Sequence, residues 1–587
     1  MFLLALLLRL AHIAGMEDGP LFAEPAVDAR TYTEQAARVA AGNWLGRGEG
    51  PFWQPPLYPY LLAAAAWLSP DSFFHAVRYA QALWGALLCA LLFFLGSRLF
   101  NRGTGLTAGL AAAAYGPFLY FDGELLPASL AAGLDTLALA LLLHFRRRPS
   151  AAGFGAAGVV AGLAALAVPT VILFAAACVV WLGLRRPRRH AAAFLVGAVL
   201  AIAPVTLRNL VVGGDAVLIS YNSGINFYIG NNSRYEETLA IRPGWEWDAL
   251  ASRPRQAGLK RPSRQSAFFW GEAWREIRSD PADYLRLLAR KLFLLGHGEE
   301  IGRNQPIYFH RNESNLLAAL LWKHGGVAFP LGIAGPLALS GLLLALRNRR
   351  EPLPALFIIT YGAGVTAFFI TARYRLPMVP VLLLFAAHAA HWTAGALRRR
   401  RWSAAALVLG TTGVFAAAAN YRVSPMDMQG DAAIHFNIGD ALARQGKPRE
   451  ARQALTRAVQ LDSTHWQAWL NLGTLKVRAG DARGALPIFR RVARGAPGRL
   501  EPWMNLAGAH MVLGEWQAAA GAYRRAVHAA PGAPHPYGGL LRALMMAGQT
   551  EHARRVLADA AARFPGRARS FREAFDRLEA KRTPGFR

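Results

Sequence analysis

The stretch "LPASLAAGLDTLALALLLHFRRR" (residues 126–148) joins a long apolar run to three consecutive arginines. About 20 apolar residues are enough for a helix to cross the hydrocarbon core of a bilayer. Arginine clusters mark the cytoplasmic ends of such helices. The stretch therefore predicts a transmembrane helix that ends in the cytoplasm. Asp135, inside the run, is expected to lie between helices because an ionised carboxylate facing lipid would be costly.

The composition extends this prediction to much of the chain. Of the 587 residues, 54% are hydrophobic and only 17% are charged, which is typical of a multi-pass membrane protein with a soluble part. The net charge is +29, but many arginines cluster at the ends of apolar runs, so we expect no nucleic-acid partner. The two cysteines, Cys89 and Cys178, lie in apolar segments and predict neither a disulfide framework nor a metal–thiolate site.

Apolar segments predict about eleven spans. They lie near residues 1–15, 77–99, 104–120, 126–145, 151–167, 168–184, 191–212, 325–346, 353–372, 376–396 and 402–420. The first is interpreted as a transmembrane helix rather than a signal peptide, because it has neither a clear basic start nor a small-residue cleavage site.

Basic clusters predict which side each segment faces. They lie at Arg98/Arg102, 146–148, 185–189, 347–350 and 398–401. Each falls at an alternate helix end, so all five can be cytoplasmic together. The loops 16–76 and 213–324, the turns 120–126 and 372–376, and everything after residue 420 then face outward.

After residue 430 the sequence repeats every 34 residues. The repeating positions are Gly446/Gly480/Gly514/Gly548, Ala451/Ala485/Ala519/Ala553, Leu455/Phe489/Tyr523/Leu557 and Pro497/Pro531/Pro565. This is the tetratricopeptide signature, one helical hairpin per unit. The chain is thus predicted to be all-α, with a membrane domain at 1–420, a linker at 421–430 and an α-solenoid at 431–587. The predicted units are 431–464, 465–498, 499–532 and 533–566, followed by a capping helix.

The repeats are expected to bind a protein or peptide partner on the outer side. Asn437, Asn471 and Asn505 are candidates for the concave face; the alternative is that they are only consensus positions of the repeat.

Polar residues collect in the outward segments. "DARTYTEQAARVAAG" predicts an amphipathic helix with Asp28 at its start, where the alternative role of Asp28 is that of an N-cap. "WQPPLYPYLLAAAAWL" predicts a second short helix whose aromatics, Tyr58 among them, lie at the membrane surface. Asp122 and Glu124 occupy an outer turn, and could simply make it polar.

Further along the chain, Asn226 lies in "SGINFYIGNNS", and Lys291, Glu299 and Glu300 come close to the next span. In "ARYRLPMVP", two arginines at an outer helix end run against the topology trend. Paired guanidinium groups suit a phosphate, although interfacial snorkelling is the alternative.

Together these features resemble the GT-C superfamily of lipid-dependent glycosyltransferases, close to bacterial protein-mannosyltransferase-like and aminoarabinose-transferase-like members. The resemblance rests on Asp28, "PPLYPYLLA", Glu124, "SGINFYIGNNS" and "ARYRLPMVP", and covers residues 1–420. It implies an enzyme of the bacterial cytoplasmic membrane that takes a sugar from a polyprenyl-phosphate donor on the extracytoplasmic face.

The resemblance also implies roles for individual residues. Asp28 would orient and deprotonate the acceptor, and Glu124 would shape the site. Lys291, Arg373 and Arg375 would hold the donor phosphate. The remaining candidates for the substrate site are Tyr58, Asp122, Asn226, Glu299 and Glu300. Many relatives have an adjacent acidic pair where Ala29 follows Asp28 here, which leaves the acceptor class and any divalent metal open; no other cofactor is implied.

Two other classes of function compete with this interpretation. A noncatalytic scaffold, in which the membrane part only anchors the repeats, would leave Asp28 dispensable. A transporter would place ionisable groups at mid-membrane, whereas here they collect on one side.

Overall fold

The structure is a computed structural model that describes residues 1–303, 306–348, 352–421 and 430–580. The chain divides into two compact units, Met1–Gln429 and Gly430–Arg587. The predicted all-α class is confirmed: helices dominate both units, and the strands found among the described residues form one short hairpin. Most of the predicted linker at 421–430 and the last residues of the basic cluster at 347–350 lie outside the described residues.

The first unit begins with a helix and three shorter helices before its longest apolar helix. The bounds are α1 Phe2–Met16, α2 Pro20–Ala23, α3 Val27–Ala40, α4 Leu57–Leu68, α5 Phe73–Leu99, α6 Arg102–Ala113, α7 Gly116–Gly123, α8 Ala128–Arg147, α9 Ala151–Ala167, α10 Ile172–Arg185 and α11 Arg188–Val211. The predicted span 104–120 is therefore broken into α6 and α7. Pro117 starts the second helix, because proline fits the first turn but not a helix interior.

The segment between α11 and the next long apolar helix folds into short helices and the hairpin. The bounds are α12 Ser223–Gly230, α13 Tyr235–Leu239, α14 Trp245–Gln256, α15 Pro262–Ser279, α16 Pro281–Gly296, α17 Asn315–Leu320, β1 Trp322–His324 and β2 Val327–Phe329. The strands pair antiparallel, with Trp322 opposite Phe329. The unit closes with α18 Leu331–Arg347, α19 Pro352–Ala367, α20 Ala372–Arg375, α21 Val379–Arg398 and α22 Trp402–Ala419. Short 3-10 turns lie at Pro169–Val171, Phe309–Asn312 and Leu376–Met378.

Five of the described helical segments are long and apolar enough to cross a membrane, judged by length and composition. They are Phe73–Leu99, Ala128–Arg147, Arg188–Val211, Ala372–Arg398 and Trp402–Ala419. Six shorter apolar helices accompany them, so the count of eleven spans stays a prediction. Asp135 is 1% exposed, which fits its expected place between helices.

Three of the five basic clusters lie at one end of this unit. Arg98 Nη1 is 3.2 Å from His144 Nδ1, at the end of α8. Arg186 Nη2 donates to the carbonyl of Arg146 at 3.0 Å. The C-terminal ends of α5, α8 and α10 therefore lie together, which is the arrangement that the topology argument requires.

The second unit is a series of paired helices. The bounds are α23 Asp431–Arg444, α24 Pro448–Leu461, α25 Trp466–Arg478, α26 Ala482–Gly495, α27 Leu500–Val512, α28 Trp516–Ala529, α29 His535–Met546, α30 Thr550–Arg563 and α31 Ala568–Ala580, with a 3-10 turn at Pro565–Arg567. The glycine that ends the first helix of each pair has φ between +72° and +85°, a conformation that favours glycine. The repeated alanines are fully buried where the helices cross.

Candidate active site

One cavity brings together Asp28, Arg303 and Arg373 from segments that lie far apart in the sequence. It comprises about 540 Å³ of space that is partly open to solvent, between the start of α3, the corner between α7 and α8, residues 301–303 with Ile307, and α20. Its lining comprises Ala26, Val27, Asp28, Ala29, Tyr120, Phe121, Leu126, Ile301, Gly302, Arg303, Ile307, Thr371, Ala372, Arg373 and Tyr374. Four segments far apart in sequence thus meet at one place.

Asp28 lies in the first turn of α3 and faces this cavity. The N-cap of α3 is Ala26, so the alternative that Asp28 is the N-cap is wrong. Val27, just before it, has φ +52°, which is rare for a β-branched residue. Such strained backbone tends to occur at functional sites, where the surrounding structure maintains it.

Arg373 is the partner of Asp28 across 345 residues of sequence. Its Nη1 donates to Asp28 Oδ2 at 2.6 Å, and the two side chains are 23% and 25% exposed. Its Nη2 also donates to the hydroxyl of Tyr374 at 3.2 Å. Thr371, another lining residue, caps α20 by accepting from the Tyr374 amide, which fixes the turn that carries the arginine.

Arg303 is a cavity residue that sequence reasoning missed. Its guanidinium stands 4.6 Å from the centre of the Phe369 ring. Its buried Nε has no hydrogen-bond partner among the described residues, and none of their carboxylates forms an ion pair with it. Burial lowers the pKa of Arg303, while Tyr374 and Asp28 oppose that shift. The available signal was a lone arginine in "EEIGRN", near the end of the outer loop.

Arg375 occupies a different environment, although it is only two residues from Arg373. It pairs with Glu300 at 3.0 Å, with both side chains 3% exposed. It also donates to the carbonyls of Leu294 at 3.1 Å and His297 at 2.6 Å, and to that of Glu299. The structure therefore does not bring Arg375 to the cavity; instead the side chain fastens the end of α16 to α20.

Glu124 lies behind the cavity wall. It is 8% exposed, and its carbonyl accepts from Gln81 Nε2 at 2.9 Å. Burial raises the pKa of the Glu124 carboxyl, while His310 and Arg78 oppose the shift. His310, which the sequence analysis also missed, forms a 2.8 Å hydrogen bond with Glu313. Glu124 is thus a neighbour of the cavity but not among its lining residues.

Lys291 is fully buried on α16 and does not line the cavity. Its Nζ donates to Asn231 Oδ1 at 2.8 Å and lies 5.7 Å from the centre of the Tyr235 ring. Burial lowers the pKa of Lys291 to about 7. At neutral pH this lysine is therefore only partly charged, unlike an arginine.

The other predicted site residues are dispersed. Asp122 pairs with Arg9 at 2.6 Å in the helix bundle. Glu299 pairs with Lys323 at 2.9 Å, and Glu300 accepts from the Tyr115 hydroxyl at 3.0 Å. Asn226, half-buried on α12, does not line the cavity.

The prediction that Tyr58 lies at the membrane surface is wrong. Its side chain is buried. Its hydroxyl donates to Gln81 Oε1 at 2.6 Å, and its ring packs edge-on against Tyr32. These contacts make Tyr58 part of the small core between α3 and α4 that positions Asp28.

The described part of the chain contains no evident set of metal ligands. None of its histidine, cysteine, aspartate and glutamate side chains form a group of three or more that could hold one. The need for a divalent ion therefore stays open.

Family models match both parts of the chain. Residues 53–207 match the model described as dolichyl-phosphate-mannose-protein mannosyltransferase. Tetratricopeptide-repeat models match residues 395–465, 436–499, 470–534 and 513–574. The predicted resemblance is confirmed in that form, a mannosyltransferase-like region followed by tetratricopeptide repeats. The first match includes Glu124 but not Asp28 or Arg373. No curated protein matches the chain.

Solved structures match part of the chain. A crystal structure of MamA is 20% identical over 24% of this chain and 81% of its own, with a TM-score of 0.22. MamA from residue 41 to its end, from Desulfovibrio magneticus RS-1, is 18% identical over 27% and 99%, with a TM-score of 0.23. YrrB, described as a TPR protein with an unusual peptide-binding site, is 14% identical over 30% and 84%, with a TM-score of 0.21.

Proposed function

We propose that this chain is a membrane glycosyltransferase that moves a sugar from a polyprenyl-phosphate donor to an acceptor hydroxyl. The observation that carries the proposal is the cavity in which Asp28 and Arg373 meet beside Arg303. The carboxylate can activate the acceptor hydroxyl, which forms the new bond to the sugar. The two guanidinium groups can bind the phosphate, whose bond to the sugar breaks. The family match at residues 53–207 supports the same class of donor.

The donor phosphate binds to Arg303 and Arg373. Guanidinium groups offer forked donors that match phosphate oxygens, and preorganised charge in a half-enclosed site stabilises a phosphate as it leaves. Arg303 suits this role because none of the described carboxylates pairs with it. Lys291 and Arg375, which the resemblance placed at the phosphate, are bound instead to Asn231 and Glu300.

Asp28 is the general base. The acceptor oxygen forms a bond to the anomeric carbon, while the bond from that carbon to the phosphate oxygen breaks with its electron pair. The proton of the acceptor hydroxyl passes to Asp28, and polyprenyl phosphate leaves with the negative charge. A positioned general base contributes roughly 10²–10⁴ to the rate.

The site is proposed to face outward from the bacterial cytoplasmic membrane. Basic clusters at Arg98, 146–148 and Arg186 gather at one end of the helices, whereas Glu124 lies at the opposite end of α8. The positive-inside trend then assigns the cavity, and the repeats after residue 420, to the extracytoplasmic side.

The repeats, proposed to span 431–587, bind a protein or peptide partner or the acceptor itself. Of the predicted asparagine row, Asn471 Nδ2 lies 3.5 Å from Asp440 Oδ1 and Asn505 Nδ2 lies 3.5 Å from Thr474 Oγ1. These long contacts, on half-buried residues, leave the amides able to turn toward a bound peptide.

Purified full chain in lipid vesicles, supplied with radiolabelled mannose or another sugar on a polyprenyl-phosphate carrier, tests the proposal. Sugar transfer to an acceptor extract is expected from the wild type and is expected to fall about 10²–10⁴-fold in Asp28→Asn. Asp71→Asn, which changes an exposed carboxylate outside the cavity, is the matched control. If the wild type consumes no donor, or if Asp28→Asn is as active as the control, the noncatalytic scaffold is the better account.

A further inference from the structure

The roles proposed for Asp28 and Arg373 conflict with the hydrogen bond that joins the two side chains. Asp28 must accept a proton and Arg373 must bind a phosphate, yet Arg373 Nη1 donates to Asp28 Oδ2 at 2.6 Å. A carboxylate oxygen that is held by a guanidinium is poorly placed to accept a proton from an incoming hydroxyl. Separation of the two side chains exposes this oxygen to the acceptor and this Nη1 donor to the phosphate.

We propose that the donor phosphate separates them: it takes Arg373 away from Asp28, so that the base becomes available only after the donor has bound. This inference rests on the function proposed above and specifies how that site is regulated. The donor therefore binds first and the acceptor second.

The burial of the pair favours such an exchange. Arg373 and Asp28 are each about one-quarter exposed and lie in the lining of an open cavity, so an anion can approach both of them. Ion pairs that remain partly in water are weak, because water competes with each partner. A ligand that offers equivalent contacts can replace the carboxylate at low cost.

Arg303 gives the phosphate an advantage over the carboxylate. Asp28 binds Arg373, whereas a phosphate has two free oxygens and can bind Arg373 and Arg303 together. The Nε of Arg303 is buried without a partner in the described structure, so a ligand that accepts from this guanidinium satisfies a group that is otherwise unmet. The cavity thus binds an anion better than it binds its own aspartate.

The contrast with Arg375 supports the assignment. Arg375 is tied to Glu300 and to three backbone carbonyls, with its side chain 3% exposed. Displacing that many partners would leave several buried groups unpaired. Of the two arginines in α20, only Arg373 is in a position to be exchanged between partners.

The same exchange also controls product release. Polyprenyl phosphate carries more negative charge than the diester from which it forms, so it holds Arg303 and Arg373 more tightly. Arg373 then returns to Asp28 only when the product has left, and product release resets the site.

The experiment measures how reactive the Asp28 carboxyl is in the purified full chain. A carbodiimide with an amine labels carboxyl groups, and peptide mass spectrometry quantifies the label at Asp28 against exposed Asp71. Farnesyl phosphate is the probe and farnesol its uncharged control, with binding of both measured separately by radiolabel. We expect farnesyl phosphate to increase labelling of Asp28 at least threefold and farnesol to leave it unchanged.

Two variants keep the outcome decisive. Arg373→Gln is expected to label strongly at Asp28 without the probe and to show no further increase with it. Arg38→Gln, on the same helix as Asp28, breaks an exposed ion pair with Glu49 and is expected to behave as the wild type. Binding of farnesyl phosphate without an increase at Asp28 overturns the exchange but leaves the proposed function standing. Failure of farnesyl phosphate to bind at all contradicts the proposed function and the exchange with it.

Discussion

Two arginines of the short helix α20 form ion pairs that differ in burial, and the difference distinguishes a reactive role from a structural one. The cavity pair, Asp28–Arg373, is about one-quarter exposed and lines an open cavity. The buried pair, Arg375–Glu300, is 3% exposed and is surrounded by backbone carbonyls and the Tyr115 hydroxyl. The two arginines lie two residues apart in α20, yet only the first can meet a ligand.

Burial decides whether each arginine mainly stabilises the fold or is available to a ligand. A buried pair gains little net stability from its attraction but is costly to break, because removing one partner leaves a buried charge. An exposed pair contributes little stability either way. Loss of the buried pair should therefore damage the fold, and loss of the cavity pair should damage the reaction.

The largest expected effect is on stability at the buried pair. Arg375→Met leaves the Glu300 carboxylate buried without its counter-charge and is expected to cost about 3–5 kcal/mol in the free energy of unfolding. Arg373→Met, the matched change two residues away, is expected to cost less than about 1 kcal/mol. Thermal unfolding of both variants in detergent checks the difference. Equal losses at the two positions would show that the comparison is mistaken.

The second effect is on catalysis at the cavity pair. Arg373→Gln removes a charged donor to the phosphate and is expected to lower kcat/KM for the donor roughly 10- to 150-fold, the equivalent of about 1.5–3 kcal/mol. The unfolding temperature is expected to change little. Arg373→Lys should restore only part of the activity, because an ammonium lacks the forked geometry. A loss of activity that follows a loss of stability would place Arg373 with the buried pair instead.

The third effect concerns Arg303, which extends the cavity pair to a second cation. Arg303→Gln is expected to weaken the binding of farnesyl phosphate about tenfold, through loss of one charge-assisted hydrogen bond. Binding of farnesol, which has no phosphate, should stay the same. Binding of radiolabelled farnesyl phosphate and of radiolabelled farnesol is measured for Arg303→Gln and for the control variant Arg38→Gln. Equal weakening for the phosphate and the alcohol would indicate that Arg303 only supports the cavity wall.

The smallest effect comes from Lys291, a buried cation that has no carboxylate partner among the described residues. Its pKa of about 7 in the folded chain lies below the value of about 10.4 that is typical of an unfolded chain. Between these values the unfolded chain binds the extra proton, so stability rises with pH, by up to about 1.4 kcal/mol per unit. Unfolding temperatures from pH 7 to 8 should rise in the wild type relative to Lys291→Met, by the equivalent of about 1 kcal/mol over this one unit. Parallel curves would show that Lys291 titrates normally.

Much of the fold was predictable because it depends on local patterns. The 34-residue spacing predicted the repeats, and Gly480 shows the reason, since its φ of +85° disfavours other residues. The break between α6 and α7 was missed because the segment 104–120 is apolar throughout; Pro117 was the signal that a second helix begins there.

The site was predictable only in outline. The positive-inside argument assigned Asp28 and Arg373 to one side of the membrane, but no local pattern specifies that they touch. Sequence could not separate Arg373 from Arg375, because their partners come from distant segments. Arg303 was missed because a lone arginine in a loop resembles any solvated one until its partners are known.

A structure of the full chain with polyprenyl phosphate would show whether the phosphate takes Arg373 from Asp28. We expect the phosphate within hydrogen-bond distance of Arg303 and Arg373, with Asp28 no longer bound to Arg373. Phosphate bound at Arg375 or Lys291, or bound in the cavity with the Asp28–Arg373 pair intact, would contradict this expectation.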